Sequence, residues 1–231
     1  MGYYYQRRGF LANVPRVTKT LIMINIFVFI ATLVNDDLVT RLFALFYPTS
    51  RLFHFWQPLT YMFVHGGFWH ILFNMYTLLI FGSVVERMIG EKKYLLFYIV
   101  CGLGAAACHI GVQAIEAAQF ADGIALGNQH SVQQYAMLKM TPTVGASGAI
   151  YGLLLAYAML FPDSRLTLLF PPVTMSAKWM VIIFAAIELF TGISGTGAGI
   201  AHFAHLGGMI FGFGLIKYWK AKRTLFDRES F

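Results

Sequence analysis

Charged residues are scarce in this 231-residue sequence: they make up 12% of the chain, whereas an average soluble domain has about 25%. This shortage excludes an ordinary soluble domain. Cysteine is also rare, and Cys101 and Cys108, the only two, lie seven positions apart. On one helix that separation corresponds to about 10.5 Å, which is too far for a disulfide between them. We therefore interpret both cysteines as packing residues.

Long apolar runs dominate the sequence, and hydrophobic residues account for 58% of it. There are six such runs, each close to the ~20 residues that a helix needs to cross a bilayer. The runs are continuous rather than alternating, which favours helices over a transmembrane β-barrel. We therefore predict an all-α membrane protein with a single domain over residues 1–231. Its six predicted spans are residues 17–34, 68–85, 94–115, 144–161, 177–193 and 200–218.

The net charge of +7 is distributed unevenly along the chain. In a six-span arrangement, 14 of the 17 lysines and arginines fall on the side that holds both termini. Only Arg41, Arg51 and Lys139 fall on the other side. The positive-inside rule then predicts that both termini are cytoplasmic. The positive charge indicates topology, and nucleic acid is not an expected partner.

The segments next to the spans differ in composition. The first run follows basic residues, as a signal peptide does, but Asn35-Asp36-Asp37 follow it without a small-x-small cleavage site, so we predict a membrane anchor. Residues 35–67 are rich in aromatic side chains, which is typical of a membrane–water interface, and we expect short helices there at the outer surface. Residues 116–143 are more polar, and the sequence assigns them no role.

Polar side chains occur inside three of the predicted spans, where they are rare and point to function. The second span contains His70 and Asn74, the fourth contains Ser147 just after Gly145, and the sixth contains His202 and His205. With the N-terminus inside, all three spans descend from the outer face. Each polar group lies within the first two turns of its span, about 10 Å below the outer surface. A hydroxyl, imidazoles and a carboxamide at one depth predict a hydrolytic site.

The residue types indicate roles within this predicted site. A serine hydroxyl is a weak nucleophile that needs a base, and His205 lies at the depth of Ser147. His70, Asn74 and the backbone N–H of Ser147 can donate to an oxyanion. Tyr151, one turn below Ser147, can pack against the imidazole of His205. No acidic residue occurs in the fourth or sixth span, which indicates a dyad rather than a triad.

Together these motifs resemble those of the rhomboid family across nearly the whole chain. In chain order they are Trp56-Gln57, His65, His70-x-x-x-Asn74, Gly82-x-x-x-Glu86, Gly145-x-Ser147-Gly148 with Tyr151, and Ala204-His205-x-x-Gly208-x-x-x-Gly212. The glycine pairs of the fourth and sixth spans also predict close approach of these two helices. The family often has Trp-Arg where this chain has Trp56-Gln57, a departure that affects the first loop but not the dyad.

The resemblance implies a six-helix rhomboid bundle and the activity of an intramembrane serine endopeptidase. It implies that Ser147 is the nucleophile and His205 the base. His70, Asn74 and the Ser147 N–H are then the oxyanion donors, and Tyr151 and Gly145 are supporting residues. Expected partners are single-span membrane protein substrates and the lipid bilayer, and neither a cofactor nor a metal is expected. We expect a multi-pass protein of a bacterial plasma (inner) membrane.

Two ambiguities remain open within the predicted site. Gly192-x-Ser194-Gly195 is a second G-x-S-G motif, in a glycine-rich loop that we interpret as a mobile cap. No helix start follows Ser194, which favours Ser147 as the nucleophile. His202 lies three residues before His205, but only His205 precedes the two glycines of the family motif.

Other functions are compatible with parts of the sequence. A rhomboid-like protein without catalytic activity could bind transmembrane helices without cutting them. A metal or haem protein could use His65, His70, His202 and His205, although the chain lacks an H-E-x-x-H motif. A transporter is disfavoured because the sequence has no evident inverted repeat. His109 and Glu188 also fall inside predicted spans, and the sequence assigns neither of them a role.

Overall fold

The computed structural model describes residues 13–168, 172–194 and 199–226. Within these ranges the chain is mainly helical, with one antiparallel pair of short strands, β1 (Arg165–Thr167) and β2 (Thr174–Ser176). The helices are α1 (Arg16–Val34), α2 (Asp36–Phe43), α3 (Gln57–Thr60), α4 (Phe68–Thr77), α5 (Ser83–Ile89), α6 (Glu91–Ala125), α7 (Gln129–Met140), α8 (Ser147–Leu160), α9 (Ala177–Ser194) and α10 (Gly199–Ala221). The strand pair, which the sequence did not predict, lies between the fourth and fifth predicted spans.

Each predicted span corresponds to a helix in the structure. Four described helices are long and apolar enough to cross a membrane: α1, Phe68–Ile89, α6 and α9. The helix Phe68–Ile89 comprises α4 and α5, which a π-helical segment, Leu78–Gly82, joins into one rod. The fourth and sixth predicted spans correspond to α8 and α10, with 14 and 23 residues. A mostly helical fold with apolar, membrane-length helices agrees with the predicted class.

The helix that contains the third predicted span is longer than that span. The predicted range was 94–115, whereas α6 continues to Ala125 and has 35 residues. At 1.5 Å per residue its length is about 52 Å, well above the ~30 Å of a bilayer's hydrocarbon core. The polar segment that follows is also helical, because the Asn128 side chain accepts hydrogen bonds from the backbone of His130 and Ser131 at the start of α7. Much of the connection 116–143 is therefore a pair of helices.

The aromatic connection 35–67 forms short helices, as the sequence predicted: α2, α3 and a 3₁₀ turn. The buried side chain of Gln57 holds it together. Its amide donates to the carbonyl of Arg41 at 3.1 Å and to that of Leu52 at 2.8 Å, and its oxygen accepts from the Phe46 N–H at 3.4 Å. A neutral side chain with both a donor and an acceptor thus anchors the first loop where the family often has arginine.

The centre of the bundle consists of α6, α8 and α10, which make extensive contacts with one another. Glycines allow α8 and α10 to approach closely: a Cβ at Gly208 would overlap the carbonyl of Gly148. Large side chains fill the remaining space, including Phe97 of α6, Leu153 of α8 and Ile216 of α10, all fully buried. Helix α9 packs outside this core, against α8 and α10.

The far end of the second predicted span is joined to α1 by a buried carboxylate. Glu86, which is 2% exposed, accepts hydrogen bonds from the backbone N–H groups of Val17 and Thr18 at 2.8 and 2.7 Å. The Thr18 hydroxyl donates to the same carboxylate at 2.7 Å. These N–H groups belong to the first turn of α1, where they have no acceptor within the helix and where negative charge is favourable.

Candidate active site

Ser147 lies at the first residue of α8, two positions after a glycine with an unusual backbone conformation. Gly145 has φ of 121°, a value that residues with a side chain rarely adopt, and its N–H donates to the carbonyl of Tyr61 at 3.0 Å. A Cβ at Gly145 would lie 2.7 Å from Nε2 of His70 and 3.7 Å from Oγ of Ser147. Glycine is therefore required here to keep the space between those two side chains open.

The hydroxyl of Ser147 is in hydrogen-bond contact with one histidine. Its Oγ lies 2.8 Å from Nε2 of His205 in α10. The phenol ring of Tyr151 stacks on the His205 imidazole, with centroids 4.3 Å apart and planes 3° from parallel. The close approach of α8 and α10 at Gly208, one turn further along α10, makes this contact possible.

His70 and Asn74 line the same groove, which also contains Ser147 and Tyr151 and has a volume of about 420 Å³. The N–H of Gly66 donates to Nδ1 of His70 at 3.4 Å, so the proton of the neutral ring resides on Nε2, the atom that faces Gly145. Asn74 donates one amide hydrogen to the His70 carbonyl at 2.9 Å, and its side-chain amide has a second hydrogen. His70 thus has a donor facing Gly145, and Asn74, which lines the same groove, has an amide hydrogen beyond the one it donates to His70.

A cluster that the sequence did not anticipate surrounds the far side of the His205 ring. Glu188 of α9, which is 6% exposed, places Oε2 at 2.5 Å from Nδ1 of His202 and at 3.1 Å from Nδ1 of His205. The hydroxyl of Tyr151 donates to the other carboxylate oxygen. The carboxylate lies off the direction of the His205 ring nitrogen, so this contact is an ion-pair distance rather than an aligned hydrogen bond.

The fourth and sixth predicted spans contain no acidic residue, which is why the sequence indicates a dyad. The structure brings a carboxylate next to His205 from α9, the helix at the fifth predicted span, which packs against both α8 and α10. Glu188 is the only acidic residue of α9, and an ionisable side chain in an apolar helix is itself a signal of function. The sequence alone does not show which neighbouring helix this side chain faces.

Comparison with known proteins identifies the family. The family model described as the rhomboid domain matches residues 52–221, most of the chain. The chain belongs to the rhomboid family. Rhomboid protease AarA of Providencia stuartii is 26% identical over 210 residues, covering 85% of this chain and 69% of that protein. As the family and the apolar helices indicate, this rhomboid is an integral membrane protein.

Two other relatives show how widely the domain is distributed. RHOMBOID-like protein 4 of Arabidopsis thaliana is 29% identical over 160 residues, covering 68% of this chain but 32% of that protein. The mitochondrial presenilin-associated rhomboid-like protein of Mus musculus is 29% identical over 170 residues, covering 71% of this chain and 39% of that protein. This rhomboid therefore spans only about a third of the length of these two relatives.

The competing site residues make other contacts in this rhomboid. Ser194 is the last residue of α9, and its hydroxyl donates to the Thr191 carbonyl at 3.1 Å. The predicted glycine-rich cap is shorter than expected, because Gly192 and Ser194 belong to α9 and Gly199 begins α10. Residues 195–198 lie outside the described ranges, so a mobile cap there stays a prediction. His202 contacts Glu188, whereas His205 contacts both Ser147 and Glu188.

Glu188, His202 and His205 offer ligand atoms within 4.8 Å of one another and are the described residues best arranged to hold a divalent cation. Zinc bonds of about 2.0–2.2 Å at tetrahedral angles would separate two ligand atoms by roughly 3.3 Å. The 2.5 Å between Glu188 Oε2 and His202 Nδ1 is a hydrogen-bond distance instead. The arrangement therefore suits a proton-sharing network better than a metal site.

Proposed function

We propose that this rhomboid is an intramembrane serine endopeptidase with Ser147 as the nucleophile and His205 as the general base. The observation that carries the proposal is the 2.8 Å contact between Ser147 Oγ and His205 Nε2 at the start of α8. A nucleophile within hydrogen-bond reach of its base is the arrangement that acyl transfer requires. Tyr151 supports the proposal, because its stacked ring limits the orientations open to the imidazole.

The proposed reaction has two halves. Nε2 of His205 accepts the Ser147 proton as Oγ attacks the peptide carbonyl, and a tetrahedral oxyanion forms. The protonated ring then donates that proton to the leaving amine, and the C–N bond breaks to leave a serine ester. In the second half His205 takes a proton from water, whose oxygen attacks the ester carbonyl. The acid product leaves, and the serine regains its proton.

Three donors are available for the oxyanion. The Ser147 N–H lies at the start of α8, where backbone N–H groups have no acceptor within the helix and the helix dipole favours negative charge. His70 contributes its Nε2–H, and Asn74 contributes the second hydrogen of its amide. Gly145 has a supporting role, because any side chain there would occupy the space between His70 and Ser147.

The length of α8 supports a reaction site below the membrane surface. Its 14 residues extend about 21 Å, less than the ~30 Å of the hydrocarbon core, so its first residue lies well inside if its last lies at the opposite surface. The proposal includes six spans with both termini in the cytoplasm, so that Ser147 is approached from the outer face. It also includes a multi-pass location in a bacterial plasma membrane.

The groove at Ser147 supports sideways entry of a substrate helix. Besides the site residues it is lined by Trp69 and Phe73 of α4, Leu154 of α8 and Phe184 of α9, so it lies between the second and fifth proposed spans. Trp69 and Phe73 are 67% and 57% exposed, as expected of side chains that face lipid. Single-span proteins whose outer end unwinds easily are therefore the proposed substrates, because a helical peptide bond hides its carbonyl.

The test is cleavage of a single-span model substrate in liposomes by wild type, Ser147→Ala and Ser194→Ala. Ser147→Ala should abolish cutting and labelling by a serine-directed fluorophosphonate, with little change in stability because only a hydroxyl is lost. Ser194→Ala, the matched control, should retain most activity. Exchanged results would assign the nucleophile to Ser194. Absence of both cutting and labelling in wild type would favour the rhomboid-like binding protein without activity.

A further inference from the structure

Glu188 is a buried carboxylate in an apolar helix, and its surroundings are unusually polar. A charge in such a place is costly unless it is paired, and such residues in membrane helices are rare. Its two oxygens contact three side chains from two other helices: Tyr151 of α8, and His202 and His205 of α10. Two of these three also touch each other, because the Tyr151 ring stacks on His205.

We infer that Glu188 is a positioning residue for His205: it holds the ring in its working orientation and stabilises the positive charge that the ring gains when Ser147 attacks. The inference rests on the proposed function. It goes beyond a serine–histidine dyad by adding an acid from the fifth span. The acid acts through His205 and does not touch the substrate.

The proton on the His205 ring is the first reason for this role. Nδ1 lies 3.1 Å from a Glu188 oxygen, and a carboxylate only accepts hydrogen bonds, so a neutral ring next to it favours the proton on Nδ1. Nε2 then carries a lone pair, and Nε2 is the atom 2.8 Å from the serine hydroxyl. The negative charge thus favours the tautomer that can act as a base, although without the aligned hydrogen bond that a buried aspartate makes in serine protease triads.

The second reason for this role is that Tyr151 contacts both the Glu188 carboxylate and the His205 ring. Tyr151 donates its hydroxyl to Glu188 while its ring lies flat on the imidazole, so one side chain fixes both members of the pair. His202 holds the same carboxylate from the other side at 2.5 Å. Because the three helices meet at this point, a shift of α9 would move the acid and change the orientation of the base.

The dependence of the reaction rate on pH tests this role. Among the described residues, few titratable groups surround the cluster. They are His202 and His205 on α10, Tyr151 on α8, His70 on α4 and Glu188 itself on α9. On α6, Cys108 faces Gly207 rather than the imidazole. A change in the pH dependence of the base after substitution of Glu188 therefore reports on the contact between the acid and the ring.

The experiment measures the rate of fluorophosphonate labelling and of substrate cleavage against pH for wild type, Glu188→Gln and Glu188→Asp. Glu188→Gln should lower both plateaus by about 10- to 1,000-fold. It should also move the acid limb to lower pH, because the protonated ring loses its neighbouring anion. Glu188→Asp keeps the charge on a shorter stem, so it should restore the acid limb and part of the rate.

Glu86→Gln is the matched control, because it neutralises another buried carboxylate, whose hydrogen bonds go to Val17 and Thr18 of α1 rather than to His205. It should retain most activity and the acid limb of wild type. The thermal unfolding midpoint of each variant is measured in parallel, and rates are compared well below the lowest midpoint. A Glu188→Gln protein with the wild-type rate, or with a lower rate and an unmoved acid limb, would overturn the inference in favour of a purely structural carboxylate.

The inference and the proposed function fail in different ways. If Ser147→Ala continues to cut, the proposed function is wrong. If Ser147→Ala is inactive while Glu188→Gln matches wild type in rate and acid limb, only the role of Glu188 is wrong. Should Glu188→Gln fold poorly, Glu188→Asp decides: it keeps the charge, so an acid limb that differs from that of wild type counts against the inference.

Discussion

Two buried glutamates lie in the described part of this rhomboid, and their partners differ in kind. Glu86 and Glu188 are 2% and 6% exposed, so both carboxylates depend on protein groups for hydrogen bonds. Glu86 is surrounded by groups that keep their protons at any ordinary pH: two backbone N–H groups and the hydroxyl of Thr18. Glu188 is surrounded by two imidazoles and a phenol.

The difference separates a structural acid from a functional one. Glu86 satisfies the free donors at the start of α1 and thereby ties that helix to α5, a role that needs a fixed charge and nothing more. Glu188 contacts the imidazole of His205, and that same ring also contacts Ser147. Burial alone therefore does not identify a functional carboxylate; the chemistry of its partners does.

The largest expected effect concerns the two histidines that share Glu188. His205→Ala should lower the cleavage rate by about 10⁴-fold or more, as much as Ser147→Ala does. The nucleophile and its base act as a unit, so removing either one costs about as much as removing both. The double variant should be no worse than either single one. His202→Ala, which breaks only a contact with the acid, should leave substantial activity. Cleavage rates in liposomes decide, and inactivity at His202 with survival at His205 would reverse the assignment of the base.

The next largest effect is expected when a proposed oxyanion donor, Asn74, is removed. Asn74→Ala should lower the turnover number by about 10- to 1,000-fold, since His70 and the Ser147 N–H remain as donors. KM should change much less, because the lost hydrogen bond strengthens only as charge develops on the carbonyl oxygen. Steady-state kinetics on the model substrate gives both constants. An unchanged turnover number would remove Asn74 from the site and leave it a helix-stabilising residue that bonds the His70 carbonyl.

The same residues show which features of the fold and the candidate site could be predicted from the sequence. It predicted the helical class and the rhomboid family, because apolar periodicity and glycine spacing are local features, whereas the six spans stay a prediction. The roles of Ser147 and His205 stay predictions, although the structure brings the two side chains together. The contacts of Glu188 were not foreseeable, because they depend on which face of α9 packs against α8 and α10. The extension of α6 was missed because its polar residues resembled a loop.

Glu86→Gln tests whether the other buried glutamate has a structural role only. The amide keeps one acceptor but loses the charge, so the three donors from α1 lose part of their pairing, at a cost of about 1–3 kcal/mol of stability. The unfolding midpoint should fall, while the acid limb of the pH profile should remain that of wild type at temperatures where the variant is folded. A shifted acid limb in this variant would show that the two glutamates do not differ in the way proposed.

The smallest effect concerns His65, a buried histidine outside the spans. The side chain is 1% exposed, and its ring lies edge-on to that of His70, with centroids 4.9 Å apart. Burial, reinforced by the nearby His70 ring, lowers the pKa of His65 from 6.5 to about 4. The folded protein therefore keeps this ring neutral at pH values where the unfolded chain protonates it.

The sign of the effect on stability follows from proton binding. Between the two pKa values the unfolded state binds more protons, so stability must fall as the pH falls through that window. From about pH 7.5 to about pH 5.5, this one group should lower the free energy of unfolding by about 1 kcal/mol. His65→Leu, of similar size and without a titrating group, should lose less stability than wild type over the same interval. Unfolding midpoints at the two pH values provide the measurement, and equal losses would mean that His65 is protonated as readily in the fold as in the unfolded chain.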